Sequence, residues 1–445
     1  MAERKLEVYL HGRRSGVLYD NDGVLSFIYD SSADTPLTVR MPLREQPYTD
    51  KDCRVFFENL LPEGEIRGVV AVKERVSEGN VFSLLEKIGG ECAGAVSLYE
   101  EGMQPVKGGE TKPRVITDEA LCAIIDSQKS SPLLTGNNIR LSLAGAQAKF
   151  AVYVDGGAVY YPDDKHFSSH LVKPGNSIFE GIAVNEYFCM RLAALMGLTV
   201  AATEIKSVNN RSYIIVDRFD RMIKEGKRRR LHQEDFCQAL GRTPDRKYQK
   251  EGGPGIKECF KFLEGRAGIA PLERLLSVFV FNYLIGNCDA HAKNFSVLHD
   301  VDAVSVKDGK LYALENKGGI TPAPFYDLVS TEVYDALSKE MAMKIGAAWD
   351  IREVQKTDFY KAAAELNVRE KEVDSLIESF SEIKEKAAIV ISDIEQSGFD
   401  AGICRRISEG IKKRYEKLSG GAAENRLRAK GRKGRTNPGT KTSGS

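Results

Sequence analysis

From Leu6 to about Tyr99, apolar and polar positions alternate in short runs such as Leu6–Val8–Leu10 and Val24–Ser26–Ile28, separated by Gly and Asp turns. Period-two alternation puts every second side chain on one face of a sheet, so this stretch predicts a small β-rich domain. Two helices interrupt it: Arg54–Val55–Phe56–Phe57–Glu58–Asn59–Leu60–Leu61–Pro62, ended by proline, and Glu78 to Ile88, stopped at Gly89–Gly90. A polar Gly-, Lys- and Pro-rich stretch from Glu100 to Arg114 follows, and residues 106–137 read as a linker. From Asn138 to about Asp220 the pattern gives strands (Lys149–Val154, His170–Lys173, Ser212–Val216) around one amphipathic helix, Ile182 to Met196, closed by Gly197. From Leu231 to Gly410, apolar residues recur at three- and four-residue spacing, clearest in Leu272–Ile285 and Val373–Ile389, and predict helices. A hairpin-like insert, with strands at Val304–Val306 and Lys310–Leu314, breaks that run. Residues 419–445 carry seven Lys or Arg against one Glu and almost nothing to bury, which predicts a disordered tail.

The densest chemistry lies in Asn287–Cys288–Asp289–Ala290–His291–Ala292–Lys293–Asn294. Asp289 and Asn294 stand at the spacing of the protein-kinase catalytic loop, where the Asp orients the acceptor hydroxyl and the Asn holds Mg²⁺. One short loop supplying a base and a metal ligand solves much of the positioning that phosphoryl transfer needs. The apolar helix before it would give the pair a rigid support. Lys293 would neutralise charge on the transferring phosphoryl group. His291 reads either as an organiser of the loop or as half of a D-x-H metal site, and no H-x-H or H-E-x-x-H pattern accompanies it.

Other parts of a phosphate-handling site occur in matching order. Ser142–Leu143–Ala144–Gly145–Ala146–Gln147 is built of small residues whose backbone N–H groups can approach phosphate oxygens, though an ordinary turn has the same composition. Lys173 ends the strand His170–Lys173, the slot of the lysine that contacts the α and β phosphates; a solvated strand-end charge is the bland alternative. Glu186, and after it Glu180, are candidates for its ion-pair partner. Asp217 and Phe219 follow an apolar strand where a hinge would read adenine, and the aromatic ring would pack on the base; a plain strand-to-turn junction fits locally as well. Tyr326 and Asp327 follow the hairpin, and Asp327 takes the place of the second metal ligand or else caps the next helix. Order favours the first member of each pair. The predicted architecture is therefore α+β and bilobal, protein-kinase-like: an extra N-terminal β-rich domain over 1–105, a small α/β lobe over 138–222 and a large mostly helical lobe over 223–418.

Composition narrows the context. With 64 basic and 63 acidic residues in 445, the chain is not built mainly to coat nucleic acid or an anionic membrane. Eight scattered cysteines without a C-x-x-C pair read as reduced thiols rather than a disulfide framework or a structural zinc site. The start at Met1–Ala2–Glu3–Arg4–Lys5 has no signal-peptide core, and Leu275–Ile285 falls short of the ~20 residues that span a bilayer. A soluble cytoplasmic protein with no membrane partner is expected.

These residues also resemble the HipA family, serine/threonine kinase toxins of bacterial type II toxin–antitoxin modules. The likeness runs from Leu6 to about Leu418 through Phe56–Pro62, Gly94–Ala95–Val96, Ser142–Gln147, Gly252–Gly253–Pro254–Gly255–Ile256, Asp289–Ser296 and Phe325–Tyr326–Asp327. The resemblance implies ATP and Mg²⁺ as cofactors, Asp289 as catalytic base, Asn294 and Asp327 on the metal, and Lys173 on the phosphates. It places Asp217, Phe219 and Tyr326 around the adenine. Ser142 matches the serine that such kinases autophosphorylate in trans, which expels the small-residue loop; a phosphate of about −1.5 to −2 charge beside an ATP site favours ejection. Implied partners are a helix-turn-helix antitoxin, operator DNA reached through it, and a protein substrate resembling glutamyl-tRNA synthetase. Asp217 stands where the family often has Glu, and neither the insert at 300–321 nor the tail has a counterpart. Arg426, Arg428, Lys430, Arg432, Lys433 and Arg435 of that tail read as solvated charge or as contacts to DNA phosphates.

Overall fold

Alternation in Leu6–Val8–Leu10 is realised in β1 (Arg4–Leu10), which pairs antiparallel with β2 (Arg13–Asn21) on one side and β4 (Val96–Glu100) on the other. The strand β3 (Val24–Tyr29) completes a sheet ordered β3–β2–β1–β4. Leu6, Val8, Leu18 and Phe27 share a core with Phe56, Phe57, Val70, Phe82 and Leu85 of three helices, α1 (Asp50–Glu58), α2 (Gly64–Glu74) and α3 (Val81–Ile88). The domain expected to be β-rich thus carries three helices beside four strands. Its α3 starts where the Asn80 side chain accepts from the Ser83 N–H, satisfying an end that would otherwise lose a partner. This computed structural model describes residues 3–105, 112–127, 142, 148–163, 165–175, 178–225, 227–307 and 310–433, without the side chains of 227 and 421–433. The loop Leu143, Ala144, Gly145, Ala146, Gln147 lies outside the described residues.

Next along the chain come α4 (Asp118–Asp126) and five antiparallel strands: β5 (Phe150–Asp155), β6 (Ala158–Tyr160), β7 (His170–Pro174), β8 (Thr203–Val208) and β9 (Arg211–Asp217). They are ordered β6–β5–β7–β9–β8. Successive strand residues face opposite ways, so Ile214 enters the core beneath the sheet while Ile215 joins the cluster on its other face. Leu121 and Ile124 of α4 cover that other face with Phe150, Val152 and Val172. Residues 106–137, expected as a linker, therefore include a packed helix. Between β7 and β8 runs α5 (Ile182–Leu195), burying Val184, Phe188 and Leu192 against the opposite face.

The rest of the chain is less purely helical than its periodicity suggests. A hairpin β10 (Arg221–Lys224) and β11 (Lys227–Arg230) leads to β12 (Gln233–Asp235), then α6 (Phe236–Leu240), α7 (Ile256–Glu264) and α8 (Ile269–Ile285). The predicted insert is the outer part of a long hairpin, β13 (Ser296–Lys307) and β14 (Lys310–Pro322), paired with β12. A short hairpin, β15 (Glu340–Ile345) and β16 (Ala348–Asp350), precedes α9 (Lys356–Ala364), α10 (Glu370–Glu378), α11 (Ile383–Gln396) and α12 (Gly402–Lys433). The apolar run Val373–Ile389 is thus two helices, with Phe380 and Ile383 buried at the break. The helix α12 continues to Lys433, through half of the tail expected to be disordered, over a stretch containing the strong helix formers Ala422, Ala423, Leu427 and Ala429. Its apolar residues Cys404, Ile407, Ile411 and Leu418 pack into one core with α5, α8 and α11. All eight cysteines are free and buried.

Candidate active site

Helix α8 is buried along its C-terminal half and ends at Gly286, whose φ of +77° a side chain would resist. That turn delivers Asn287 to Asn294. Asn287 is fixed by its amide donating to Asn282 Oδ1 (2.8 Å), and its own Oδ1 accepts from the Asp289 N–H (3.0 Å). The Asn294 amide donates to the Asp289 carbonyl (2.9 Å), closing the loop on itself and leaving the amide oxygen as an acceptor. The Asp289 carboxylate takes a hydrogen bond from the Tyr248 hydroxyl (2.8 Å). Burial pushes Asp289 up to about 6, opposed by that hydrogen bond and by Lys247. Such a carboxylate sits where a general base works best near neutrality. A general base must be ionised to accept a proton, so with Asp289 in that role the expected rate falls as pH drops through the region of 6. Tyr248→Phe removes the bond that stabilises the anion, so the acid limb of the pH–rate profile should move upward; an unmoved limb counts against Asp289 as the base.

On the opposite wall, β7 presents Lys173, whose ammonium is 2.6 Å from Glu186 Oε1 and 2.6 Å from Asp327 Oδ1. Glu186 lies in the first turns of α5 and is 1% exposed, whereas Glu180 stands before the helix and contributes its carbonyl to the Tyr334 hydroxyl. Glu186, not Glu180, is therefore the partner. Burial opposes ionisation of Asp327, but the Lys173 and Lys149 ammoniums outweigh it and hold the carboxyl at about 2. Asp327 has a φ of +57°, an uncommon conformation for a non-glycine residue and a recurrent one where function dictates the backbone. Phe325 before it bridges to Val200, in the segment that enters β8.

The aromatic pair lies beside these groups: Phe219 stacks on Tyr326 with centroids 5.1 Å apart and planes at 23°. The Tyr326 hydroxyl donates to the Lys293 carbonyl (2.7 Å) and lies 2.7 Å from Ser296 Oγ. Asp217 pairs with His170 at the end of the sheet. Asp217, Phe219, Tyr326, Asp327, Asp289, Asn294, Lys293 and Lys173 all line one cavity of about 860 Å³. Ser142, also on that wall, is fully buried; its N–H donates to the Glu91 carbonyl (2.9 Å) and its hydroxyl to the Leu60 carbonyl (2.7 Å).

Lys293 is placed differently from its sequence-based role. Its ammonium is 6% exposed as a residue and is held by Asn59 Oδ1 (2.7 Å) and Asp235 Oδ2 (2.7 Å), so it ties the loop down rather than standing free for a phosphate. Among the described residues that line the cavity, the cation with no such engagement is Lys149, at the entry to β5, lowered to about 8 by burial and by Lys173. Sequence reasoning passed over it, although it directly follows the small-residue loop. It also missed Tyr248 and a buried cluster of Glu91, Arg218, Asp220 and Arg221. The signal for that cluster was the alternation Asp217–Arg218–Phe219–Asp220–Arg221 directly after an apolar strand.

As metal donors, the Asp327 carboxylate and the Asn294 amide oxygen are hard oxygen ligands, two in number, which suits Mg²⁺ completed by phosphate oxygens and water. Among the described residues no group of three or more His, Cys, Asp or Glu could cage a metal, and His291, lowered to about 3 by burial, is an uncharged loop residue. No helix of the described residues is long and apolar enough to cross a membrane.

A Lys–Glu pair beneath a five-stranded antiparallel sheet, a D-x-x-x-x-N loop at a helix end and an Asp after the next hairpin define a chain with a protein-kinase-like site. Family models place it further: the HipA N-terminal domain matches residues 6–99 and the HipA-like C-terminal domain matches residues 141–388. The chain belongs to the HipA family. The Sinorhizobium fredii protein Y4mE is 36% identical over 429 residues, 92% of this chain and 97% of that one. The serine/threonine-protein kinase toxin HipA of Shewanella oneidensis is 31% identical over 74% of this chain and 77% of its own length. The solved complex of Shewanella oneidensis HipA with HipB and its operator DNA superposes with a TM-score of 0.75 at 25% identity, covering 93% of this chain and 97% of that one.

Proposed function

We propose that this chain is an ATP- and Mg²⁺-dependent protein serine/threonine kinase that acts as the toxin of a type II toxin–antitoxin module. The observation that carries the reading is the convergence of Lys173–Glu186, Asp289, Asn294 and Asp327 on a single cavity. Asp289 accepts the proton of the acceptor hydroxyl. Lys173, oriented by Glu186, takes the α and β phosphates. Asn294 and Asp327 hold Mg²⁺, which on binding neutralises the charge of the triphosphate. Phe219 and Tyr326 offer an aromatic face to adenine with Asp217 at its edge, and the small residues of the segment Ser142 to Gln147 suit backbone N–H contacts to phosphate. The partners are a helix-turn-helix antitoxin, operator DNA through that antitoxin, and a protein substrate resembling glutamyl-tRNA synthetase.

Autophosphorylation at Ser142 belongs to the same reading. Because that hydroxyl is fully buried against Leu60, Ser142 must leave this site before another copy can reach it. Purified protein incubated with labelled ATP and Mg²⁺ is expected to incorporate phosphate at Ser142, and Asp289→Asn protein is expected to incorporate none. No label with any protein acceptor would favour a silent corepressor. Turnover with a metabolite alone would favour a small-molecule kinase. Growth arrest on expression, lost in Asp327→Asn, tests the toxin role.

A further inference from the structure

The N-terminal domain reaches into the cleft at the segment between α1 and α2. Asn59 caps the end of α1 and is 2% exposed. Both protons of its amide are used, on the carbonyls of Val55 (2.8 Å) and Arg242 (2.9 Å), which fixes its Oδ1 on the Lys293 ammonium at 2.7 Å. Four residues on, Glu63 is 8% exposed and lines the cavity. Its Oε2 accepts from the Lys247 ammonium at 2.8 Å. Among the described residues its Oε1 finds no hydrogen-bond donor, and it lies 3.7 Å from the Lys293 ammonium.

Those two lysines flank the reacting groups. Lys293 immediately precedes Asn294, and Lys247 immediately precedes Tyr248, whose hydroxyl holds the Asp289 carboxylate. The Lys247 carbonyl also accepts from the Ala292 N–H (3.4 Å), linking the two segments. Asp235, the remaining carboxylate on Lys293, already uses its other oxygen to cap α6 by accepting from the Gln238 N–H. The buried Lys293 and half-buried Lys247 ammoniums therefore meet two carboxylates, one of which the N-terminal domain supplies together with the Asn59 oxygen. Removing either set of acceptors leaves an ammonium under-satisfied, and the loop must shift to find water.

We infer that Asn59 and Glu63 are positioning residues of the catalytic loop, so that the phosphate-transfer site is incomplete without the N-terminal domain. The inference rests on the kinase reading for its kinetic consequences but not for its structural ones. The test uses the full chain with Asn59→Ala, Glu63→Gln and the charge-conserving Glu63→Asp. Amide hydrogen exchange in a peptide covering 287–296 is expected to quicken in Asn59→Ala and Glu63→Gln while the rest of the chain stays protected. The same variants are expected to lose about tenfold or more in kcat with KM for ATP nearly unchanged, since a misplaced loop harms the transition state more than ground-state binding. Glu63→Asp should recover part of the loss. Asn59→Ala should cost nothing further in a Lys293→Met background, because the contact is already gone. Unchanged exchange at 287–296, or exchange that rises across the whole chain, overturns the inference. If the wild-type chain transfers no phosphate, the kinase reading falls alone and the exchange result still decides this one.

Discussion

Asp289→Asn is expected to lower kcat by about 10²–10⁴-fold, the range a positioned general base contributes, with little change in ATP affinity. Asparagine keeps the shape of the side chain and an oxygen for the Tyr248 hydroxyl, so the loop, pinned by Asn287, Asn294 and Lys293, has no reason to move. What is lost is the carboxylate, raised to about 6 by burial, that is the proposed acceptor of the hydroxyl proton. The substitution therefore separates chemistry from binding. Calorimetric titration with ATP and Mg²⁺ should give a dissociation constant close to that of the unaltered protein, while single-turnover transfer nearly vanishes. Transfer within about tenfold of the unaltered rate would remove Asp289 from the role of base, since that lies below the range such a base contributes.

Much of the cleft was legible because each of its parts is announced locally. The spacing of Asp289 and Asn294 after an apolar helix, the lysine ending β7 and the aspartate following the β13–β14 hairpin are short-range patterns, and the structure gathers them around one cavity. The choice between Glu186 and Glu180 turned on where α5 begins, and the left-handed Gly181 puts Glu180 outside the helix. Lys293 misled because its neighbours in sequence say nothing about Asn59, which meets it from 234 positions away. Charged pairs of that separation leave no periodic trace: each partner satisfies a burial requirement that only the assembled fold imposes. The helix α4 hid inside a polar stretch because Leu121, Cys122 and Ile124 make barely more than one turn of apolar surface. In the run Val373–Ile389 neither Gly nor Pro marks the break after α10, and the chain turns there to bury Phe380 and Ile383.

The second large effect concerns stability. Glu91, in the N-terminal domain between α3 and β4, faces the turn that follows β9, with 13% of its side chain exposed. Its Oε1 is 3.0 Å from Arg218 and 2.9 Å from Arg221, and the same arginines reach Asp220 at 2.9 Å each. Arg230 adds a third cation nearby, spent on the carbonyls of Cys92, Gly94 and Val96. Burial opposes the charged form of both acids, but the arginines outweigh it, with Arg221 and Arg218 acting on Glu91 and Arg218 and Arg221 on Asp220, so both carboxyls lie below the usual range. Glu91→Ala would leave three arginines facing one carboxylate in a poorly solvated space, and a loss of about 3–5 kcal/mol is expected from such a broken buried network. Asp30→Ala, which breaks the solvent-facing pair with Arg14, should cost less than about 1 kcal/mol. Because both folded-state values are depressed, the contribution is fully present above the unfolded carboxylate range and disappears as pH falls through the folded values. The gap in melting temperature between the unaltered protein and Glu91→Ala should therefore be widest near neutrality and close on acidification. A gap that stays constant down to strongly acidic pH, or a Glu91→Ala chain that melts with Asp30→Ala, would mean that packing rather than this ion cluster joins the N-terminal domain to the turn after β9.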